Sequence, residues 1–426
     1  MAHCWLFIGR GSESNFLNVI IFPGSPPSRG SRSIRHKHTL KTKQKMLKLK
    51  IKKKHELRLV YGHPWIFSNE IENFAELKNL EKGSLVEVEI QKGETCALAY
   101  FNPQSLISGR ILSHKSSEKV DEDFFVRRIL KAKALRDRFF DKPFYRLVHS
   151  EADFLPGLVI DRFGDVISCQ ISTAGMEKLS PLLIAALEQI FPDAAIIFRN
   201  DIEMRRYEGL ELEVKIVKGE IPEKIEIEEN GIKYLIDVRA GQKTGWFFDQ
   251  RKNREFVASI SKDCDVLDAF CYLGGFGFNA LKGGAKSVTF VDSSPVKLSL
   301  PENAEFIHEK VYALFESAEF QKRRFDVVLL DPPAFVKSKK DFFSGMKGYE
   351  KLIKLSAGLV REGGILMLSS CSHQVSQQDL INAANDGFRK LGRKAKLIRS
   401  FGADIDHPIH PGLRESEYLK SITFSL

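Results

Sequence analysis

Val266-Leu267-Asp268-Ala269-Phe270 runs into Cys271-Tyr272-Leu273-Gly274-Gly275-Phe276-Gly277, and Ser287-Val288-Thr289-Phe290-Val291 then ends in Asp292. An apolar run, a glycine-rich loop that lets backbone approach a ligand, a helix from Phe276 to Lys282 and a second apolar run closed by an acid form one strand, loop, helix and strand unit. Asp292 follows Asp268 by 24 positions (292 − 268), near the ~20-residue interval at which a carboxylate on a strand tip meets both hydroxyls of a ribose. The unit is shaped for an adenosine-containing ligand. Its spacing is not Gly-x-Gly-x-x-Gly and no Gly-Lys-Ser/Thr follows, so neither a dinucleotide nor a nucleoside triphosphate is favoured.

The 426 residues suffice for two or three domains, with 43% hydrophobic and 28% charged residues, as in ordinary globular proteins. No apolar run approaches the ~18 residues a membrane helix needs. The six cysteines, Cys4, Cys96, Cys169, Cys264, Cys271 and Cys371, include no Cys-x-x-Cys pair, which indicates neither a zinc site nor a disulfide framework and fits the cytoplasm. Residues 1–54 carry 13 Lys or Arg against Glu13, a charge of +12, while the remainder carries 52 basic and 54 acidic residues, a charge of −2. The basic end is suited to a polyanion.

Residues 1–45, rich in Ser, Gly, Pro and Arg, are expected to be a disordered extension, with an organellar transit peptide or a translation start at Met46 as other readings. From Met46, Leu47, Leu49 and Ile51 alternate with Lys48, Lys50 and Lys52, the period of a half-buried strand with a lysine row outside. Further short strands at Leu85–Ile90, Thr95–Tyr100 and Ile107–Leu112, broken by Gln91-Lys92-Gly93-Glu94 and Asn102-Pro103, predict a small β-barrel over 46–117. A helix over Asp123–Phe140, with Phe125, Ile129, Ala132, Leu135 and Phe139 inward, a hairpin around Arg162-Phe163-Gly164-Asp165, a helix opened by Ser180-Pro181 and a strand at Ala194–Phe198 predict an α+β domain over 118–225. Asn230-Gly231 marks a hairpin opening the last domain, 226–426. There, strands and helices alternate as in a doubly wound parallel sheet, whose ligands sit at the strands' C-terminal ends.

Two of those strand ends carry reactive groups. At Asp331-Pro332-Pro333-Ala334-Phe335 an acid is followed by a loop stiffened by two prolines. Such a loop can hold a planar base by its edge, with Phe335 packed nearby. At Ser369-Ser370-Cys371-Ser372-His373 a thiol faces the same crevice. A lone cysteine is more often a small buried hydrophobe than a nucleophile. The loop Gly241-Gln242-Lys243-Thr244-Gly245 to Arg254 reads as a cofactor lid or a domain linker.

In combination, Asp268-Ala269-Phe270-Cys271-Tyr272-x-Gly274-Gly275-Phe276-Gly277, Asp331-Pro332-Pro333-Ala334-Phe335, Lys347-Gly348-Tyr349, Ser370-Cys371-Ser372-His373 and Glu417-Tyr418-Leu419-Lys420 are specific. With Gly241-Gln242-Lys243-Thr244-Gly245 and His63-Pro64-Trp65-Ile66-Phe67-Ser68, the chain from Met46 to Leu426 resembles the bacterial 23S ribosomal RNA cytosine-5 methyltransferases of the RlmI type. The resemblance implies a PUA-type RNA-binding domain, the α+β middle domain and a Rossmann-like class I methyltransferase domain using S-adenosylmethionine. It implies that Cys371 adds to cytosine C6 and that Asp331 binds the base edge. Gln242, Lys243, Thr244, Asp268, Phe270, Gly274, Gly275, Gly277, Asp292, Ser293 and Asp331 are then expected at the cofactor, and Lys48, Lys50, Lys52, Arg58 and His63 at the RNA, with no metal. The expected partner is large-subunit ribosomal RNA, with a homodimer left open and no membrane.

One stretch departs from the family. Ser293-Ser294-Pro295 runs almost straight into Glu302-Asn303-Ala304, where family members have a longer helix, and Glu309-Lys310 stands where they have an Asp. Two other readings therefore stay open: a guanine methyltransferase that uses no thiol, and a catalytically weakened RNA-binding or ribosome assembly factor.

Overall fold

The computed structural model describes residues 46–90 and 94–426; the expectations for residues 1–45 and for Gln91-Lys92-Gly93 lie outside them. The first alternating segment forms β1 (Leu47–Lys50), with Leu49 and Ile51 buried and the lysines outward. After α1 (Glu56–Val60), β2 (Trp65–Ile66) and α2 (Phe74–Leu77) come β3 (Ser84–Glu89), β4 (Thr95–Phe101) and β5 (Gly109–Ser113). These strands make one sheet in the order β1-β3-β4-β5-β2, in which β1 lies parallel to β3. A bridge between Ile51 and Ile71 draws the two edges toward the barrel-like form expected.

The next sheet has the order β10-β9-β8-β7-β6, built from β6 (Phe144–His149), β7 (Leu158–Phe163), β8 (Val166–Ile171), β9 (Ala195–Asn200) and β10 (Glu213–Lys218). Helices α3 (Glu122–Arg136) and α4 (Ala174–Ile190) bury an apolar cluster against one of its faces. Both helices correct the sequence reading. α3 stops at Arg136 and leaves Phe139 51% exposed, while the Arg136 guanidinium turns inward onto both Asp153 carboxylate oxygens at 2.7 Å. α4 begins at Ala174 rather than at Ser180-Pro181, since Thr173 Oγ1 accepts the Met176 N–H and Gly175 lets the first turn lie on Tyr100. A Cβ on Gly175 would come within 2.0 Å of the Tyr100 ring, so tertiary packing outweighs the local proline signal.

The hairpin of β11 (Ile225–Glu229) and β12 (Ile232–Ile236) turns at Asn230-Gly231, both left-handed, as the sequence predicts. It covers the other face of the middle sheet, where Phe163, Val166 and Ile197 pack with Tyr234, Trp246 and Phe248. α5 (Arg251–Ile260) then leads into the last sheet.

That sheet contains β13 (Asp265–Ala269), β14 (Ser287–Asp292), β15 (Ala304–His308), β16 (Phe325–Leu330), β17 (Val360–Ser370), β18 (Lys396–Phe401) and β19 (Lys420–Ser425), in the order β15-β14-β13-β16-β17-β19-β18. Its first five strands are parallel, while β19 runs antiparallel to β17 and β18. α6 (Gly275–Lys282), α7 (Val311–Glu316), α8 (Phe342–Ala357) and α9 (Gln377–Lys390) fall between them. Strand order reverses beside β13, which opens a crevice between the ends of β13 and β16. Between β14 and β15 there is no helix; Ser293 to Leu300 alternate exposed and half-buried residues, with Leu298 and Leu300 packed on the core.

Candidate active site

A cavity of about 530 Å³ lies at the reversal point. Phe270, Cys271 and Tyr272 after β13, Asp292 and Ser293 after β14, Asp331 after β16 and Cys371 after β17 line it, and Gln242, Lys243, Asp249 and Gln250 close it from the loop before α5. The loop after β13 holds Phe270 and Tyr272 at φ values of 64° and 50°, a left-handed backbone that costs each of them about 1–3 kcal/mol. It is fixed by neighbouring strand ends: the Cys271 N–H donates to Val291 O at 3.1 Å and the Tyr272 N–H to Asp292 Oδ2 at 2.9 Å.

The glycines of this loop also meet a packing demand. A Cβ on Gly277 would lie 2.1 Å from Phe290, on Gly274 2.9 Å from Phe278, and on Gly275 2.6 Å from Arg254 Nε. Of the three, Gly275 lines the cavity. Asp268 stands behind the loop, 1% exposed, with Oδ2 accepting the Gly277 N–H at 2.7 Å. Burial pushes its carboxyl up to about 7, against the pull of that N–H, and its Oδ1 has no partner. Thr244 is also away from the cavity, fully buried with its hydroxyl on Asp161.

Asp331 accepts a 3.0 Å hydrogen bond from Gln250 Nε2, and Asn253 Nδ2 holds the Gln250 amide oxygen at 2.7 Å. Burial first, then the charge of Asp249, raise the Asp331 carboxyl to about 6. Burial likewise raises the Cys371 thiol, partly opposed by the Lys243 ammonium. For Asp249 the balance reverses: burial raises it, but Lys243, His407 and the Tyr418 hydroxyl, which donates to Oδ2 at 2.5 Å, together hold it far below the usual carboxylate range. Its Oδ1 is buried without a partner.

The loop carrying Cys371 is clamped from both sides. The Tyr349 hydroxyl lies 2.7 Å from Ser370 Oγ and 3.1 Å from Ser372 Oγ, and Lys420 Nζ donates to the carbonyls of Ser372 and Tyr418 at 2.9 Å each. Phe335 packs on Tyr349 with ring centroids 4.6 Å apart and the rings tilted by 39°, so it supports this clamp and does not line the cavity. His373 is exposed, with Nδ1 on Glu415 O at 3.2 Å. Asp249, Gln250, Tyr349, Tyr418 and Lys420 went unassigned in the sequence although they lie in or beside the quoted motifs; only the fold brings them to Cys371 and Asp331.

The residues expected at RNA lie apart from the cavity lining: Lys48 and Lys50 on β1, Lys52 just past it, Arg58 on α1 and His63 before β2. Lys48 Nζ pairs with Glu89 at 2.8 Å and Lys52 Nζ donates to Asn69 O at 2.9 Å, while Lys50 is exposed. Arg58 is bound to Glu70 at 2.5 Å and to the His63 ring, so these two also hold the β2 segment in place.

Two family descriptions match the chain: a PUA-like domain over residues 49–114 and an S-adenosylmethionine-dependent methyltransferase over residues 184–386. Ribosomal RNA large subunit methyltransferase I of Aliivibrio fischeri strain MJ11 is 37% identical over 377 residues, covering 84% of this chain and 94% of its own. The protein of that name from Shigella boydii serotype 18 is 34% identical over 389 residues, covering 88% and 98%. Among solved structures, an S-adenosylmethionine-dependent methyltransferase from Streptococcus mutans superposes with a TM-score of 0.74 at 23% identity, covering 89% of this chain and all of its own. A methyltransferase crystallised with S-adenosylhomocysteine gives 0.76 at 24% identity, with the same coverage, and both share the fold. No helix among the described residues is long and apolar enough to cross a membrane.

Proposed function

The chain belongs to the ribosomal RNA large subunit methyltransferase I family, and from that membership we propose that it methylates C5 of a cytosine in large-subunit ribosomal RNA, with S-adenosylmethionine as methyl donor. One observation carries the choice of base and chemistry: Asp331 and Cys371, from neighbouring strand ends, line the same cavity as Asp292.

The cavity suits the cofactor. Asp249 Oδ1 is a buried acceptor without a donor, and Asp292 presents a carboxylate at the strand tip; an ammonium group and ribose hydroxyls are the donors such groups require. Gln242, Lys243, Phe270, Gly275, Asp292 and Ser293 would hold it, with Asp268, Gly274, Gly277 and Thr244 acting one layer back by fixing the loops. When bound, S-adenosylmethionine supplies an electrophilic methyl group.

Cytosine C5 is too weak a nucleophile to take that group unaided. In this reading the Cys371 thiol gives its proton to a base as its sulfur bonds to C6, the C5–C6 π pair moves toward C4 and N3 so that C5 becomes enamine-like, and Asp331 stabilises the charge developing at N3. A carboxyl held near pH 6 suits that task, since it can share or give a proton at neutral pH. After methylation, loss of the C5 proton to a base re-forms the double bond and expels the Cys371 thiolate. Lys420 and Tyr349 keep the thiol in place throughout. The target base leaves its stack, since neither face of C6 is otherwise open to the thiol. Residues 46–117 would contribute RNA binding, 118–225 a structural bridge and 226–426 the methyl transfer, in the cytoplasm and with a homodimer as the state to test by sedimentation.

RNA containing 5-fluorocytosine should become covalently trapped on the wild type, because fluorine cannot leave C5 as a proton does. Retained methylation by Cys371→Ser would sink the thiolate mechanism and favour a guanine target. The missing helix after Asp292 supports a second reading, an RNA-binding factor with weakened turnover. Calorimetry decides it: no heat of binding at millimolar S-adenosylmethionine would leave the binding role alone.

A further inference from the structure

Val336 is buried, its N–H donates to Ser372 Oγ at 3.3 Å, and a Cβ on Gly345 would come 2.4 Å from its side chain. The chain leaving the cavity at Pro333 is therefore pinned beside the residue that follows Cys371. Lys337, Lys339 and Lys340 come one, three and four steps after that pin, all exposed, and each step spans ~3.8 Å. α8 then presents Phe343, 81% exposed, and Lys347 one turn along the same face.

Among the described residues none of these four ammonium groups has an ion-pair partner, whereas Lys351, one turn further on, pairs with Glu316 at 2.6 Å. The acid within the segment is already engaged: Asp341 Oδ2 accepts the Ser338 N–H at 3.0 Å and its hydroxyl at 2.8 Å. A ring left this far in water adds little to the fold, and four lysines against the single carboxylate of Asp341 leave the segment with a net positive charge. A chain of phosphates bearing flat, unpaired bases meets both features at once.

We propose that this rim holds the single-stranded nucleotides flanking the target base, with the lysines on phosphates and Phe343 under one base. The assignment rests on RNA being the substrate. It commits to a single strand because a base inside a duplex offers no open face to a ring.

The test uses the full chain, an unmodified large-subunit ribosomal RNA transcript and two variants, Lys337→Ala/Lys339→Ala/Lys340→Ala and Phe343→Ala. Unchanged calorimetric affinity for S-adenosylmethionine shows that both remain folded. The triple variant should flatten the slope of log affinity against log salt by about 2, three contacts at ~0.7 each for a single strand. Phe343→Ala should leave the slope alone and weaken binding at least about 5-fold, the loss of one stacked base. Unchanged slope and affinity in a chain whose wild type methylates the transcript would overturn the rim alone. A wild type that binds no RNA would overturn the functional reading and the rim with it. If methylation of assembled particles fell while transcript binding held, the surface would belong to a protein partner and the RNA assignment would be wrong.

Discussion

The hydroxyl of Tyr349 lies 2.7 Å from Ser370 Oγ, one residue before Cys371, and the same oxygen reaches Ser372 on the other side. A buried phenol on α8 thus fixes the backbone on both sides of the thiol. Tyr349→Phe keeps the ring against Phe335 and removes the clamp. We expect turnover to fall about tenfold, as for a 1.4 kcal/mol loss of positioning, with cofactor affinity unchanged by calorimetry. Loss of both together would mean a general collapse of the site.

Asp331 carries a pH signature in stability. Its carboxyl titrates near 6 in the fold and near 3.8 when unfolded, so the folded state binds the extra proton between those values. The associated stability is fully present below pH 3.8 and is lost as pH rises through about 6. Asp331→Asn removes this loss, so melting of the RNA-free protein should show the variant gaining on the wild type between about pH 4 and about pH 6.5, with a constant difference above that. The shift of ~2 units sets the gain at roughly 3 kcal/mol at most. A difference that stays constant with pH would show that the carboxyl is ionised normally.

Arg136, 1% exposed, joins both Asp153 oxygens to the carbonyls of Arg146 and Asp406, tying the middle sheet to the segment before β19. Arg136→Ala strands a buried carboxylate and should cost about 3–5 kcal/mol in urea unfolding. Simultaneous Arg136→Met and Asp153→Leu should recover much of that, since no lone charge remains.

Asp292 accepts N–H groups from Tyr272 and from Ser294 at 2.9 and 2.8 Å. With no helix behind it to hold the following segment, Asp292→Ala should loosen the loop as well as remove the ribose acceptor. Cofactor affinity should drop at least about 100-fold, with faster amide hydrogen exchange at Tyr272 and Ser294. Unaltered exchange with lost affinity would confine Asp292 to ligand contact.

The sequence by itself determined the elements whose local pattern has no competitor. The apolar strands β13, β14, β16 and β17, the Asn230-Gly231 hairpin and the acid and thiol at strand tips follow from periodicity and turn chemistry, and the missing helix follows from the shortness of residues 293–303. Tertiary structure decided what depends on partners far along the chain. Arg136 turned inward because Asp153 and the Asp406 carbonyl wait there, and α4 ran through Pro181 because Gly175 fits against Tyr100. Thr244 left the cavity for Asp161, and Lys48 met Glu89 across a parallel strand pair. Around Cys371, the clamps from Tyr349 and Lys420 come from residues 22 positions before it (371 − 349) and 49 after it (420 − 371). Local pattern specifies the backbone, but burial and hydrogen-bond satisfaction, which depend on the assembled fold, assign each polar side chain its task.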